Sequence, residues 1–224
     1  MVRTIVFDVN ETLLDLAALD PLFVSIFGDA SARAEWFGQM LQSAFLATIT
    51  NAYTDFGTIG GAALGAVADR RGVDLTDEHR VQLGAGIRSL PPHADVRNAL
   101  ERLRDEGFRM ATLTNSTPAA AEAQIANAGL GDFFAGILSA DTVKRLKPAP
   151  DPYHHAAQTL GLAIGDLRLV AAHGWDIAGA LRAGCAAAFV ARPGRSLDPL
   201  ALVPDIIGSD MGEVVSQIID TDRP

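Results

Sequence analysis

Cysteine is nearly absent. Cys185 is the only one in 224 residues, so no internal disulfide can form. None is needed, because a chain of this length buries roughly 70–75% of its unfolded surface. Long apolar runs are missing too: none reaches the ~18 residues a membrane-spanning helix requires. The chain does not open on a basic-then-apolar leader. A cytoplasmic protein with no membrane partner is therefore expected. Positive charge is scarce, with 18 Lys and Arg against 27 Asp and Glu, a formal net charge of −9 and no long run of one sign. That balance argues against a nucleic-acid or anionic-membrane surface, though a local pocket can oppose the net field and still take a small anion. Internal repeats and low-complexity tracts are also lacking. What remains is 49% hydrophobic and 20% charged, which excludes disorder. The length fits one domain, or one plus a modest insertion.

Thr4, Ile5, Val6 and Phe7 read as a strand buried on both faces, broken abruptly by Asp8. From about Leu16 to Leu90 the texture is helical. Ser31–Thr50, Ile59–Arg71 and Thr76–Arg88 have helix-compatible apolar spacing, and no strand is convincing there. After Pro91-Pro92 helices and strands alternate. The helices are Val96–Glu106, Ala119–Ala128, Pro152–Leu160 and Ile177–Ala183, the first two closed by Gly107 and Gly129. The strands are Met110–Leu113, Gly136–Leu138, Leu167–Ala171 and Ala187–Val190, with a short one at Asp205–Ile207 before a closing helix around Gly212–Ile219. This alternation predicts an α/β fold with a parallel sheet, interrupted after its first strand by a helical insertion.

Ligands of open parallel sheets sit beyond the carboxyl ends of the strands. Asp8 ends the first strand, and Thr114, Asn115 and Ser116 end the second. Lys147 lies in a loop after the third, and His173, Trp175 and Asp176 follow the fourth. Each has a plain structural reading. Asp8 and Asp176 suit helix caps, Asn115-Ser116-Thr117-Pro118 suits a helix start with proline in the first turn, Lys147 suits a solvated loop, His173 a structural histidine and Trp175 packing. Jointly they converge on one crevice, where Asp8 could act as nucleophile, Lys147 hold it ionised and Asp176 serve as base. His79, His93, His154 and His155 have no evident partners, and adjacent His154 and His155 face different ways on a helix, which disfavours a metal site.

Four segments carry a family resemblance. Phe7-Asp8-Val9-Asn10-Glu11-Thr12-Leu13-Leu14, Leu113-Thr114-Asn115-Ser116, Lys147-Pro148-Ala149-Pro150-Asp151-Pro152-Tyr153 and Val170-Ala171-Ala172-His173-Gly174-Trp175-Asp176 resemble, in order and spacing, the four motifs of the haloacid dehalogenase superfamily, within it the L-2-haloacid dehalogenase branch. The resemblance implies a doubly wound parallel sheet, a Rossmannoid core of residues 1–14 and 91–224, with residues 15–90 as a helical cap. It implies that Asp8 displaces halide from a small 2-haloacid to form an aspartyl ester, which water then hydrolyses. Thr12 would support Asp8, Lys147 would keep it charged, and Asp176 would be the base or water-positioner, with His173 beside it. Thr114 and the backbone N–H groups after Asp8, those of Val9 and Asn10, would receive the substrate carboxylate, with Tyr153 also at the substrate. A homodimer is common among similar proteins.

Departures from the pattern narrow the reading. Phosphatases of the superfamily use Mg²⁺, with an acid/base aspartate two residues after the nucleophile and a metal-holding aspartate four residues before the last. Asn10 and Ala172 stand here instead. A phosphate dianion beside ionised Asp8 would be repelled by roughly 8 kcal/mol at ~4 Å and an effective dielectric near 20, about half of it offset by Lys147. A haloacid is a monoanion, and departing halide needs no proton. No metal or other cofactor is therefore expected. The better-known dehalogenases have tyrosine at Asn10, serines at Ala171 and Ala172, asparagine at His173 and a halide-receiving arginine on the first cap helix. Here that helix reads Glu35-Trp36-Phe37-Gly38-Gln39-Met40, with Arg33 the nearest arginine. His173, Asn115, Trp36 and Trp175 are the replacement N–H donors to consider, with packing the commoner role for Trp36. The alternatives are a weak Mg²⁺-dependent phosphatase and a non-catalytic binder of small acids.

Overall fold

Six parallel strands form a single sheet in the computed structural model, which describes residues 3–222. The strands are β1 (Thr4–Phe7), β2 (Met110–Thr114), β3 (Ile137–Ser139), β4 (Leu167–Ala171), β5 (Ala186–Val190) and β6 (Ile206–Gly208), in the order β3-β2-β1-β4-β5-β6. Every pair is parallel. The chain winds outward from β1 on one side and from β4 on the other, so the topological switch point lies between them, with Asp8 and His173 at its rim. The doubly wound expectation is met.

Strand alternation divides the core between the two faces. Ile5 and Phe7 join a cluster with α5 (Val96–Asp105) and α9 (Met211–Asp222), while Val6 joins the opposite cluster with α7 (Pro150–Leu160) and α8 (Gly174–Ala183). Helix α5 buries Val96, Ala99, Leu100 and Leu103 on one face. It and α6 (Pro118–Asn127) stop at Gly107 (φ 81°) and Gly129 (φ 66°), as expected. Each stop carries the bond a left-handed cap needs, Phe108 N–H to the Leu103 carbonyl at 2.9 Å and Leu130 N–H to the Ile125 carbonyl at 3.0 Å.

Between β1 and α5 run α1 (Asp20–Phe27), α2 (Ala32–Ile49), α3 (Phe56–Arg71) and α4 (Asp77–Arg88), with no strand among the described residues. Helix α1 is the element the periodicity did not single out. It buries only Phe23 and Ile26, too few to give a repeating signal. Entry and exit of this insertion are tied together: Asp15 N–H donates to the Pro91 carbonyl at 2.8 Å and His93 N–H to that of Leu13 at 2.9 Å. Trp36, Phe37 and Met40 of α2 belong to the same apolar cluster as Phe7 and α5, so insertion and sheet share a core.

Two helix starts differ from the periodicity in a way that matters. Helix α7 begins at Pro150 and α8 at Gly174, each ahead of its apolar repeat. His173, in extended conformation, is the residue flanking α8, and its carbonyl accepts from Asp176 N–H at 3.0 Å and Ile177 N–H at 3.1 Å. Asp176 is therefore inside the first turn, not the cap, and its side chain turns inward.

At the far side of the sheet fully buried Arg168 on β4 pairs with fully buried Asp222 and with Asp205, 2.6 Å away. Asp222→Ala leaves a buried guanidinium with one partly exposed carboxylate, Asp205, and the Ala187 carbonyl. A loss of about 3 kcal/mol is expected in urea unfolding, and a midpoint equal to wild type would refute it.

Candidate active site

Asp8 is fixed at the end of β1 by its N–H to the Val170 carbonyl on β4, 3.0 Å. The chain then turns sharply: Leu13 and Leu14 N–H both donate to the Val9 carbonyl, and Glu11 sits at φ 62°, a left-handed conformation that costs a non-glycine residue roughly 1–2 kcal/mol. This turn brings Thr12 back beneath Asp8. Its hydroxyl donates to Asp8 Oδ2 at 2.7 Å and accepts from Ala172 N–H at 2.9 Å.

Lys147 is fully buried and spends all three protons, on Asp8 Oδ1 (2.9 Å), the Leu113 carbonyl (2.8 Å) and Asp176 Oδ2 (2.6 Å). Asn115 holds it in place: its Oδ1 accepts the Lys147 N–H at 2.8 Å and its Nδ2 donates to the Lys147 carbonyl at 3.3 Å. The other Asp176 oxygen accepts from the Tyr153 hydroxyl at 2.6 Å. His173 lies between two carboxylates, Nε2 at 2.9 Å from Glu11 Oε2 and Nδ1 at 3.4 Å from Asp8 Oδ2. The second is an ionic contact outside hydrogen-bond geometry, and Nδ1 is buried with no hydrogen-bond partner, as is Trp175 Nε1. The imidazole is stacked between Phe37 and Trp175. Arg195, from the loop after β5, donates to the other Glu11 oxygen.

The ionisation states follow from this geometry. Burial pushes the Asp8 carboxyl up, but Lys147 and His173 outweigh it and hold the group well below the usual carboxylate range. Glu11 is likewise lowered, burial being outweighed by His173 and Arg195. Burial and the neighbouring Asp8 charge raise Asp176 against the pull of Lys147. Burial alone would lower His173, yet Asp8 and Glu11 push it up to about 9. The folded state thus binds the His173 proton more tightly than the unfolded chain, whose ordinary value is 6.5. Its contribution to stability is complete below about pH 6.5 and lost as pH rises through about 9. Wild type should lose stability across that window in denaturant titrations, and His173→Asn should lack this component. Parallel curves for the two proteins would refute it.

Asp8, Asn10, Thr114, Asn115, Lys147, His173 and Trp175 line one narrow crevice, closed by Phe37, Leu41 and Phe56 from the insertion. Asn10 is oriented by Gln124, whose amide donates to Asn10 Oδ1 at 2.8 Å. Val9 is fully buried and turns its carbonyl to Leu13 and Leu14. A second cavity of about 250 Å³ adjoins the crevice at Asn10, Phe37 and Phe56 and is walled by Trp36, Met40 and Leu83.

Two expectations are corrected. Trp36 is no anion donor, because its indole N–H is committed to the Gly60 carbonyl at 2.9 Å and its ring packs on Phe23. Tyr153 does not reach the substrate crevice. Lying in the first turn of α7, it is fully buried and supports Asp176 from behind. Arg33 also faces away: it pairs with Asp20 and approaches Glu11 at 3.8 Å from the far side.

Glu11, Gln124 and Arg195 escaped the sequence reading. Glu11 stood inside a quoted motif but was given no role. Arg195 follows the fifth strand, where the rule that polar strand ends face the ligand would have pointed. Gln124 gave no signal, since its partner is 114 residues away. His93 also gains one, the Glu11 carbonyl at 3.1 Å.

The carboxylates do not fit a divalent cation. Lys147 occupies the place between Asp8 and Asp176 where such an ion would need both, each remaining oxygen already faces a donor, and position 172 is alanine. Among the described residues no group of three or more His, Cys, Asp or Glu side chains is arranged to hold a metal.

A doubly wound sheet with an aspartate at the switch point, pinned by a lysine from a distant loop, defines a hydrolase framework. The chain matches the haloacid dehalogenase-like hydrolase family over residues 2–184 and belongs to it. It is 28% identical over 215 residues to (S)-2-haloacid dehalogenase 2 of Pseudomonas sp. (strain CBS-3), covering 95% of this chain and 94% of that one. It is 29% identical over 222 residues to (S)-2-haloacid dehalogenase H-109 of Pseudomonas putida, covering 98% and 99%. Its fold superposes on the L-2-haloacid dehalogenase of Xanthobacter autotrophicus with chloropropionic acid covalently bound, at a TM-score of 0.92, 22% identity and 99% coverage of both chains. No described helix is long and apolar enough to cross a membrane.

Proposed function

We propose that this enzyme hydrolyses small 2-haloacids to 2-hydroxy acids through an ester on Asp8, without a metal. The observation that carries the reading is an ionised carboxylate, locked by Lys147 and Thr12, facing a crevice in which two buried N–H donors, His173 Nδ1 and Trp175 Nε1, have no partner. Asp8 attacks the carbon bearing the halogen and the C–halogen bond breaks. The halide is received by the imidazolium and the indole, with the Asn115 edge beside them. The substrate carboxylate is met by the N–H groups of Val9 and Asn10 and by the Thr114 hydroxyl. That hydroxyl accepts from Ser116 N–H at 3.2 Å and keeps its own proton to donate. Water then attacks the ester carbonyl, and Lys147 stabilises the oxyanion. Asp176, with both oxygens engaged, serves by aiming Lys147. Residues 15–90 act as a cap over the core of 1–14 and 91–224, supplying Phe37, Leu41 and Phe56 to dry the crevice. The names of the relatives point to the S enantiomer.

Halide release from chloroacetate and (S)-2-chloropropionate in the presence of EDTA is the test. Turnover that survives the chelator supports the proposal. Phosphate release from esters only with added Mg²⁺, and no halide, overturns it. The homodimer belongs to the same proposal: α2 carries exposed Leu46 and Ile49, and light scattering should give the mass of two chains. The mass of one chain would reject that part alone.

A further inference from the structure

We infer that Glu11 is a positioning residue and His173 the proton acceptor of the hydrolytic step, the two forming with Asp8 a carboxylate–imidazole–carboxylate chain. This rests on the dehalogenase reading above. The geometry has three parts. First, Nε2 is spent on Glu11 at 2.9 Å, which fixes the ring so that Nδ1, buried and without a hydrogen-bond partner, faces the Asp8 carboxylate at 3.4 Å. That gap leaves room for Asp8 to change from carboxylate to ester without losing a bond. Second, Asp176 is fully buried behind Lys147 and does not line the crevice, whereas His173 does. Third, Glu11 is kept in a left-handed backbone conformation, with Arg195 on its second oxygen, so the turn is built around delivering this carboxylate to His173.

The proton count closes. In the free enzyme His173 is cationic and flanked by two carboxylates. When Asp8 becomes an ester, one of them is neutralised. The imidazolium holds the departing halide, then loses its proton as the halide leaves. Neutral Nδ1 takes a proton from water as the water oxygen bonds to the Asp8 carbonyl carbon. The ester C–O bond breaks and the alkoxide takes that proton. The new carboxyl group returns its own proton to His173, restoring the starting state with one proton and one halide released. The proton lost is that of Nδ1, which leaves into the crevice with the halide, while Nε2 keeps its proton and its bond to Glu11. The charged groups facing this unit are Asp8 and Glu11 from the β1 turn, Lys147 from the α7 loop, Asp176 of α8, Arg33 of α2 and Arg195 after β5.

Rapid-quench kinetics with (S)-2-chloropropionate, with mass analysis of the peptide bearing Asp8, separate the steps. His173→Gln, which loses the cationic halide donor but keeps an amide N–H, should release about one equivalent of halide in a burst slower than that of wild type, then turn over about 10²-fold or more slowly with the ester accumulating. Glu11→Gln keeps the shape and removes the charge. It should slow ester hydrolysis on the order of 10-fold and move the acid limb of that step to lower pH, because the imidazole gives up its proton more readily. Glu11→Asp should restore part of the rate and the wild-type limb. A merely structural Glu11 would leave the limb in place. Halide release by wild type, with no ester accumulating in His173→Gln and no displaced limb in Glu11→Gln, overturns this inference alone. No halide release by wild type overturns the dehalogenase reading and the inference with it.

Discussion

Asp8→Asn is expected to release no halide above background, a loss of at least ~10⁴-fold in kcat, while remaining folded. The amide retains a partner for Lys147 and for the Thr12 hydroxyl, which sit at 2.9 and 2.7 Å from the carboxylate. What it lacks is nucleophilicity, and a nucleophile that acts as a unit with its supports costs the whole rate enhancement when removed. Halide assay beside far-UV circular dichroism checks it. Turnover within tenfold of wild type in a folded Asp8→Asn protein would remove the covalent route. Isotope placement gives the same answer from the other side. In one turnover in oxygen-18 water, the label should enter the Asp8 carboxylate and leave the first hydroxy acid unlabelled. Label in that first product would mean direct attack by water.

Lys147→Met should be the more damaging change to the protein as a whole. Its ammonium is fully buried between Asp8 and Asp176, and the lysine's own affinity for its proton is raised because those two carboxylates outweigh the burial that opposes it. Removing it leaves two carboxylates facing each other with only the His173 imidazolium, beside Asp8, as a buried cation. Breaking such a group by deleting one partner costs roughly 3–5 kcal/mol. Asp8 should then bind a proton at higher pH, so activity, already down by about 10³-fold, should recover partly as pH rises. Lys147→Arg keeps the charge but not the tetrahedral fit to three acceptors, and should recover stability more than rate. A Lys147→Met protein with wild-type stability would show that the carboxylates are not held apart by this residue.

Much of this was legible along the chain. Thr4-Ile5-Val6-Phe7 followed by Asp8, and the strand–helix alternation after Pro91, forecast a parallel sheet and the strand ends where chemistry sits. Asp8 was found because it ends a strand, and strand ends are set by local pattern; Lys147 was picked out in the loop after the third strand, and Thr12 came from the family resemblance. Tyr153 was misplaced at the substrate, and Trp36 was kept as a candidate donor beside its commoner packing role, for a shared reason. Both lie on helices near the site, and which way a helical side chain points depends on where the helix starts and what packs on it.

Local pattern and residue type thus determined which elements form and which strand ends carry polar groups, and the family resemblance implied that Asn10 and Ala172 replace the carboxylates its magnesium phosphatases use. Only the folded chain decided the electrostatic partners. Glu11 and Arg195 are 184 residues apart and Glu11 and His173 are 162 apart, yet all three form one chain of charges. No local periodicity records such a pairing, because charge interactions act through space between loops at one end of the sheet, whereas sequence pattern reports only which side of each element is apolar.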